Sequence, residues 1–347
     1  MTILNKLFKY FYPIELISFA YILLTAVFIT AFSFKIDNAV DLLLNRVLIT
    51  CSLLFVAYTD NKKEFKVVNW IRYLLFFLLI VYWNIDTRYL GKYVSFEVRI
   101  LITCSLLFAA FIDIKKNSKL INLIRYLLPA FLIVYWYPET YYLNECIFSN
   151  LDHLFINADE WLFGCSPALK FSEYLPYQWF SELMSFGYFS YYIMLTFIAF
   201  YFYYTNKYIG CKALFIIIGS FLMYYIIFII LPVIGPQFYY SVPENQVPDG
   251  YLFRKMLIFL QETGEKPTGA FPSSHVGISL IFLIIIYKHA LYYFRYFLPI
   301  TIILILSTVY IKAHYVVDVI GGFLSVPPIY YLSNKCWQWF DNKFQKS

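Results

Sequence analysis

The sequence has 347 residues, of which 61% are hydrophobic and only 14% are charged, and its mean hydropathy is +0.66. This balance excludes an ordinary soluble globular domain and predicts an integral membrane protein. The formal net charge of +6 gives no indication of nucleic-acid binding, because short cytoplasmic loops of membrane proteins are themselves enriched in Lys and Arg.

Apolar runs recur along the whole chain, and several approach the roughly 20 residues that a helix needs to cross a bilayer. The pattern predicts an all-α, polytopic helical bundle of about ten spans. The predicted spans cover residues 13–34, 44–59, 69–84, 98–112, 121–136, 180–204, 213–233, 274–287, 296–312 and 314–333.

An internal repeat occupies the first half of the chain. The ten residues that begin at Arg46 recur from Arg99 with one change, at an offset of 53 residues. We interpret residues 1–136 as an N-terminal transmembrane scaffold with a duplicated helical hairpin at 46–90 and 99–143. A transporter or flippase is the alternative, but neither copy carries an acid or a histidine within its apolar runs, where transport sites are usual.

The basic residues predict the orientation of the spans. Lysine pairs at 62–63 and 115–116, together with Lys288, fall in turns on one side of the membrane. Because such turns are typically cytoplasmic, we expect cytoplasmic N- and C-termini, the latter as a tail at 334–347. The protein is then expected in a bacterial inner (cytoplasmic) membrane, with its active site on the outer, periplasmic face.

Residues 137–179 form a long outer segment whose mixture of Trp, Phe, Leu and acidic residues predicts a helix in the membrane interface. Its Cys146 and Cys165 could form a disulfide in an oxidising compartment, and no Cys-x-x-Cys pair indicates a metal or redox site. Residues 180–333 contain the polar groups of chemical interest, so we expect the catalytic bundle there.

A Pro-Ser-Ser-His segment at 272–275 stands at the outer end of the eighth predicted span. Free backbone N–H groups and small serines at a helix start form a site for an anion, and His275 would face that anion. An ordinary serine cap with an interfacial histidine is the alternative for this segment taken by itself.

A second polar group lies on the same outer side, between the ninth and tenth spans. His314 and Asp318 are four residues apart and would share one helical face and form a hydrogen bond. A carboxylate that binds one imidazole nitrogen makes the other nitrogen a better nucleophile or base, and Lys312 adds a cation. These groups fit phosphoryl transfer through a phosphohistidine; a zinc site is the weaker alternative, because a third strong ligand is not obvious.

At these residues the chain resembles the type 2 phosphatidic acid phosphatase superfamily. The family pattern is Lys-x6-Arg-Pro, then Pro-Ser-Gly-His, then Ser-Arg-x5-His-x3-Asp. The second motif is matched at 272–275, and the third is matched from Ser307 to Asp318 with its spacing kept. Thr308 replaces the motif's Arg, and no Arg-Pro dipeptide occurs in the chain.

The Tyr310-x3-His314-Tyr315 pattern, together with the Gly-Pro-Gln turn at 235–237, is more similar to the inositol phosphorylceramide synthase branch and its bacterial relatives. The resemblance implies a catalytic bundle of the phosphatidic acid phosphatase type, in which His314 attacks phosphorus, Asp318 orients His314 and His275 protonates the leaving oxygen. Residues expected to bind the substrate phosphate are Ser273, Ser274, Lys312, Gln237, Arg254 and Lys266.

The resemblance also implies the substrates. The donor is a membrane phospholipid, and its phosphoryl or phosphoalcohol group, of the inositol-phosphate kind, passes to a lipid alcohol. A lipid phosphate phosphatase that uses the same site is the alternative. No metal ion or organic cofactor is expected.

Overall fold

The computed structural model describes residues 11–36, 38–60 and 119–344. Within these ranges the chain is helical and contains no β-strand. The α-helices described there are α1 (Pro13–Ala31), α2 (Ala39–Asp60), α3 (Lys119–Leu143), α4 (Asp152–Phe163), α5 (Pro167–Tyr174), α6 (Gln178–Thr205), α7 (Lys207–Ile230), α8 (Pro236–Tyr239), α9 (Leu252–Gly264), α10 (Ser274–His289), α11 (Leu291–Tyr310) and α12 (Val316–Phe344).

Five of the described helices are long and apolar enough to cross a membrane. They are α1, α6, α7, α11 and α12, and they coincide with five of the predicted spans. Helix α10 is apolar but shorter, while the predicted spans 44–59 and 121–136 fall within α2 and α3. The predicted spans 69–84 and 98–112 lie outside the described residues, so the total of about ten is not confirmed.

Most of the duplicated hairpin also lies outside the described residues, which include only its ends in α2 and α3. The structure therefore does not test the repeat or the transport alternative. The possible disulfide in the outer segment is not formed, because Cys165 is a free thiol.

The chain divides into two compact units. The first comprises Met1–Tyr135 and Trp339–Ser347, and the second comprises Trp136–Gln338. Within the first unit, the buried carboxylate of Glu15 on α1 meets the buried guanidinium of Arg125 on α3 at 2.7 Å.

The second unit is built around α7, which is apolar on all sides and is therefore enclosed by other helices. Asn206 begins this helix, and its side chain accepts a hydrogen bond from the backbone N–H of Ile209 at 3.2 Å. Helices α6 and α11 approach closely at Gly187, where a Cβ atom would stand 2.7 Å from the Ile303 side chain. These contacts hold the helices whose ends carry the polar residues.

The polar residues gather at one end of this bundle. The loop after α7, the loop before α10 and the turn between α11 and α12 meet there, joined by backbone hydrogen bonds. Ala270 N–H donates to the carbonyl of Val233 at 3.0 Å, and Gln237 N–H donates to that of Lys312 at 2.7 Å. Gly235 has a φ of +86°, and a Cβ atom there would lie 2.6 Å from the Ala313 carbonyl oxygen, so this meeting point requires glycine.

Candidate active site

Two imidazole rings meet at the end of the bundle. His275 lies in the first turn of α10, and His314 lies in the turn between α11 and α12. His275 Nδ1 is 3.4 Å from His314 Nε2, and the ring centroids are 5.6 Å apart. The structure thus brings together the two histidines on which the sequence prediction depends.

The geometry of His314 fixes its tautomer. Its Nδ1 lies 2.8 Å from the carbonyl oxygen of Ala270, and a carbonyl only accepts hydrogen bonds, so Nδ1 carries the proton. Burial lowers the pKa of His314 to about 4, because a charged imidazolium is poorly solvated there. At neutral pH, Nε2 is therefore an unprotonated nitrogen that faces His275.

Asp318 does not bind His314 in the predicted way. Its Oδ2 lies 3.6 Å from His314 Nδ1, beyond hydrogen-bond distance, and accepts instead from the backbone N–H of Tyr315 at 2.8 Å. The predicted shared helical face is also wrong, because α12 begins only at Val316 and His314 precedes it. Asp318 is fully buried, and its distance of 3.6 Å from Nδ1 is short enough for a charge on either group to affect the other.

Helix α4 supplies a carboxylate that the sequence interpretation did not identify. Asp159 is fully buried, and its two oxygens accept the backbone N–H groups of Val316 and Val317 at 3.0 and 2.9 Å. Because Val316 and Val317 begin α12, their N–H groups have no carbonyl acceptor within that helix. Asp159 therefore caps α12 and fixes the turn that carries His314.

Asp152, at the start of α4, holds the opposite side of the same turn. Its carboxylate accepts from the hydroxyl of Tyr315 and the backbone N–H of Gly235, both at 2.9 Å, and from that of Ile234 at 2.8 Å. Asp152 and Asp159 are seven residues apart, which places both on one helical face. That spacing was the available signal for their shared, buried role.

His275 is held by aromatic packing and by the start of α10. Its ring packs against Tyr188 and Tyr191, with centroid distances of 4.4 and 4.8 Å. Ser273 is the N-cap of α10, and its hydroxyl oxygen accepts from Val276 N–H at 3.3 Å. The hydroxyl hydrogen of Ser273 is not used by that bond, so it can be donated to a ligand.

The predicted phosphate ligand Lys312 is engaged elsewhere. Its backbone has a φ of +65° and its side chain is buried. The ammonium group donates to the carbonyl oxygens of Glu244 and Gln246. Lys312 therefore fastens the loop between α8 and α9, and its side chain makes no hydrogen bond to either histidine.

The other predicted cations differ in their exposure. Lys266 is exposed. Arg254 is half-buried on α9, and within the described part of the chain its Nε has no hydrogen-bond partner. Burial lowers the pKa of Arg254, and the nearby carboxylate of Asp249 opposes that shift. Ser274 is buried at the first position of α10, next to His275.

The predicted ligand Gln237 leads to a carboxylate that the sequence interpretation also missed. Gln237 Nε2 donates to Glu265 at 2.6 Å, and Gln261 Nε2 donates to Gln237 Oε1 at 2.9 Å. The Tyr188 hydroxyl donates to the other Glu265 oxygen at 3.2 Å. Burial raises the pKa of Glu265, and hydrogen bonds from its neighbours oppose that change.

No cluster of three or more His, Cys, Asp or Glu residues suited to a metal ion occurs in the ranges that the structure describes. The fold and the site thus define a helical membrane protein with a pair of imidazoles at one end of its bundle, of which His314 is buried and His275 is half-buried.

Comparison with known families gives the particular class. The model of the PAP2 superfamily matches residues 153–332, more than half of the chain and including both histidines, and the protein belongs to this superfamily. Its members are typically phosphatases or phosphotransferases acting on lipid phosphates, and the chain is accordingly an integral membrane protein. No curated protein and no solved structure gives a significant match.

Proposed function

We propose that the protein transfers a phosphoryl or phosphoalcohol group from a membrane phospholipid to a lipid alcohol through a phosphohistidine at His314. The observation that carries this proposal is the pair of rings: His314 keeps its proton on Nδ1, and its free Nε2 faces His275 at 3.4 Å. The two nitrogens are in direct contact in this structure, so a bound phosphoryl group must separate them before His314 attacks phosphorus while His275 serves the leaving oxygen.

In the first step, His314 Nε2 attacks the phosphorus and the bond from phosphorus to the lipid oxygen breaks. His275, protonated while the anionic phosphate is bound, gives its proton to the leaving oxygen. The imidazole of His314 acquires positive charge as the N–P bond forms. The Asp318 carboxylate, 3.6 Å from Nδ1, stabilises that charge.

In the second step, His275 accepts a proton from the acceptor hydroxyl as its oxygen attacks phosphorus. The N–P bond then breaks, and neutral His314 is restored. Ser273 and Ser274 lie at the start of α10 and hold the phosphate oxygens through their hydroxyls and through backbone N–H groups.

The acceptor is a lipid alcohol such as a ceramide-like lipid, and water is the alternative acceptor of a phosphatase. The similarity of the Tyr310 to Asp318 segment to the inositol phosphorylceramide synthase branch favours the alcohol. The purified protein, incubated with headgroup-labelled phosphatidylinositol and ceramide, is expected to form a labelled ceramide product. Release of soluble phosphate ester without any ceramide product would contradict transfer, and unchanged turnover in His314→Ala would contradict the site.

We further propose that the site faces the periplasm of a bacterial inner membrane, with both termini in the cytoplasm. The support is the charge pattern, because Lys288 ends α10 at the opposite end of that helix from His275. A single cysteine at the exposed position of Glu244, in a background without the native cysteines, should react with an impermeant thiol reagent in spheroplasts. Labelling only after lysis would contradict this orientation.

A further inference from the structure

Glu265 is a carboxylate in a place where a phosphate-binding site would ordinarily have a cation. It belongs to the same cluster as both histidines: its oxygen accepts from Tyr188, whose ring packs on His275. It is also close enough to His314 to oppose the lowering of that residue's pKa. A carboxylate there would repel a bare phosphate, so its presence requires an explanation.

Glu265 is not needed to orient either imidazole. His314 Nδ1 already donates to Ala270, and its Nε2 faces His275. The residue is only half-buried, so a ligand can reach it. Its neighbours Gln237 and Tyr188 donate to it, so both carboxyl oxygens act as acceptors.

We infer that Glu265, supported by Gln237 and Gln261, binds the hydroxyl groups of the alcohol that stays on the phosphorus atom during transfer. The inference rests on the proposed function, in which the transferred phosphoalcohol is of the inositol-phosphate kind, and it assigns the residue that recognises that alcohol. A carboxylate with neighbouring amides offers several hydrogen-bond partners to a group with many hydroxyls.

A cationic headgroup is less well matched to this arrangement. Ammonium groups are typically bound against the open faces of aromatic rings. The tyrosine rings around the site are instead packed on other rings: Tyr188 and Tyr191 on His275, Tyr137 on Tyr225 and Tyr192 on Phe189. The groups that contact Glu265 itself are a phenol and an amide, which suit hydroxyls.

The test compares donor lipids in detergent micelles with wild-type protein and Glu265→Gln, measuring kcat/KM for phosphatidylinositol, phosphatidylethanolamine and phosphatidic acid. We expect Glu265→Gln to lower the value for phosphatidylinositol about tenfold, the effect of losing hydrogen bonds to a charged group. The value for phosphatidic acid should rise, because a repulsive charge has been removed. Glu262→Gln, the same change at an exposed neighbour, is the matched control.

A purely structural role would lower kcat/KM for phosphatidylinositol and for phosphatidic acid together, and this outcome would overturn the inference. A loss confined to phosphatidylethanolamine would also overturn it, by assigning Glu265 to an ammonium group. If Glu265→Gln is unstable, Glu265→Asp keeps the charge with a shorter reach and should lower only the phosphatidylinositol value. Absence of turnover with every lipid in the wild-type protein would instead contradict the proposed function itself.

Discussion

Asp159 offers a sharp test of how the fold supports the site, because it lies on α4 and contacts only backbone on α12. In Asp159→Asn, one side-chain oxygen still accepts a hydrogen bond, but the second N–H of the Val316 and Val317 pair loses its acceptor. An unsatisfied buried donor costs about 1–3 kcal/mol, and the lost negative charge at a helix start adds about 0.3–1 kcal/mol.

A second effect acts in the opposite direction. Burial raises the pKa of Asp159, so its ionised form carries a desolvation cost that asparagine avoids. We therefore expect a net loss of about 2 kcal/mol in the free energy of unfolding, near the middle of the range for one unsatisfied buried donor. At roughly 2–4 °C for each kcal/mol, the melting temperature should fall by about 4–8 °C.

The assay is thermal unfolding in detergent, paired with the rate of phosphohistidine formation below the unfolding transition. That rate should fall at least tenfold, because the turn that carries His314 loses one of its anchors. Glu160→Gln makes the same charge change at an exposed neighbour and is the control. If Asp159→Asn matches that control in both stability and rate, α4 does not position the site.

Three further predictions concern the chemistry and the fold. His275→Ala should slow turnover of a phospholipid by about 100-fold to 10,000-fold. The variant should still form phosphohistidine from an ester with a good leaving group, because such a group leaves without a proton donor. Equal losses of rate on the two substrates would contradict the proton-donor role. Burial depresses the pKa of His314 to about 4, so the nucleophile stays neutral as the pH falls through 6.5. In a pH–rate profile, the rate of phosphohistidine formation should therefore begin to fall only near pH 4. A fall near pH 6.5 would contradict this. Gly235→Ala should destabilise the protein by at least 1 kcal/mol, as measured by unfolding, because its φ is +86° and the Ala313 carbonyl occupies the space of the new methyl group; unchanged stability would contradict that packing.

The sequence predicted the apolar helices of the second unit and the two histidine segments, because both depend on local patterns. A long apolar run identifies a span such as α7 without reference to any other residue. The Ser273 cap similarly depends on the four residues that begin α10.

The sequence could not predict which groups hold the nucleophile. The spacing of His314 and Asp318 suggested a helix, but the chain forms a turn there, with Lys312 at a φ of +65°. The carbonyl of Ala270, which fixes the tautomer of His314, carries no side-chain signature. Asp159 is separated from Val316 by 157 positions in the chain, so their contact follows from tertiary packing alone.

Glu265 illustrates the same limit at the candidate substrate site. It follows an amphipathic helix, where an acidic residue is typically solvated. Only the packing of α9 against α6 brings it to Tyr188, 77 residues earlier in the chain. Its position beside the histidines therefore emerges from the structure and not from a motif.

Direct capture of the covalent intermediate tests the central claim. Wild-type protein, mixed with radiolabelled phospholipid and quenched in alkali within one turnover, should carry an acid-labile label that peptide mass spectrometry assigns to His314. The label should be absent from His314→Ala and should accumulate when the acceptor alcohol is withheld. Turnover without any labelled protein, or a label on a residue other than His314, would contradict the mechanism.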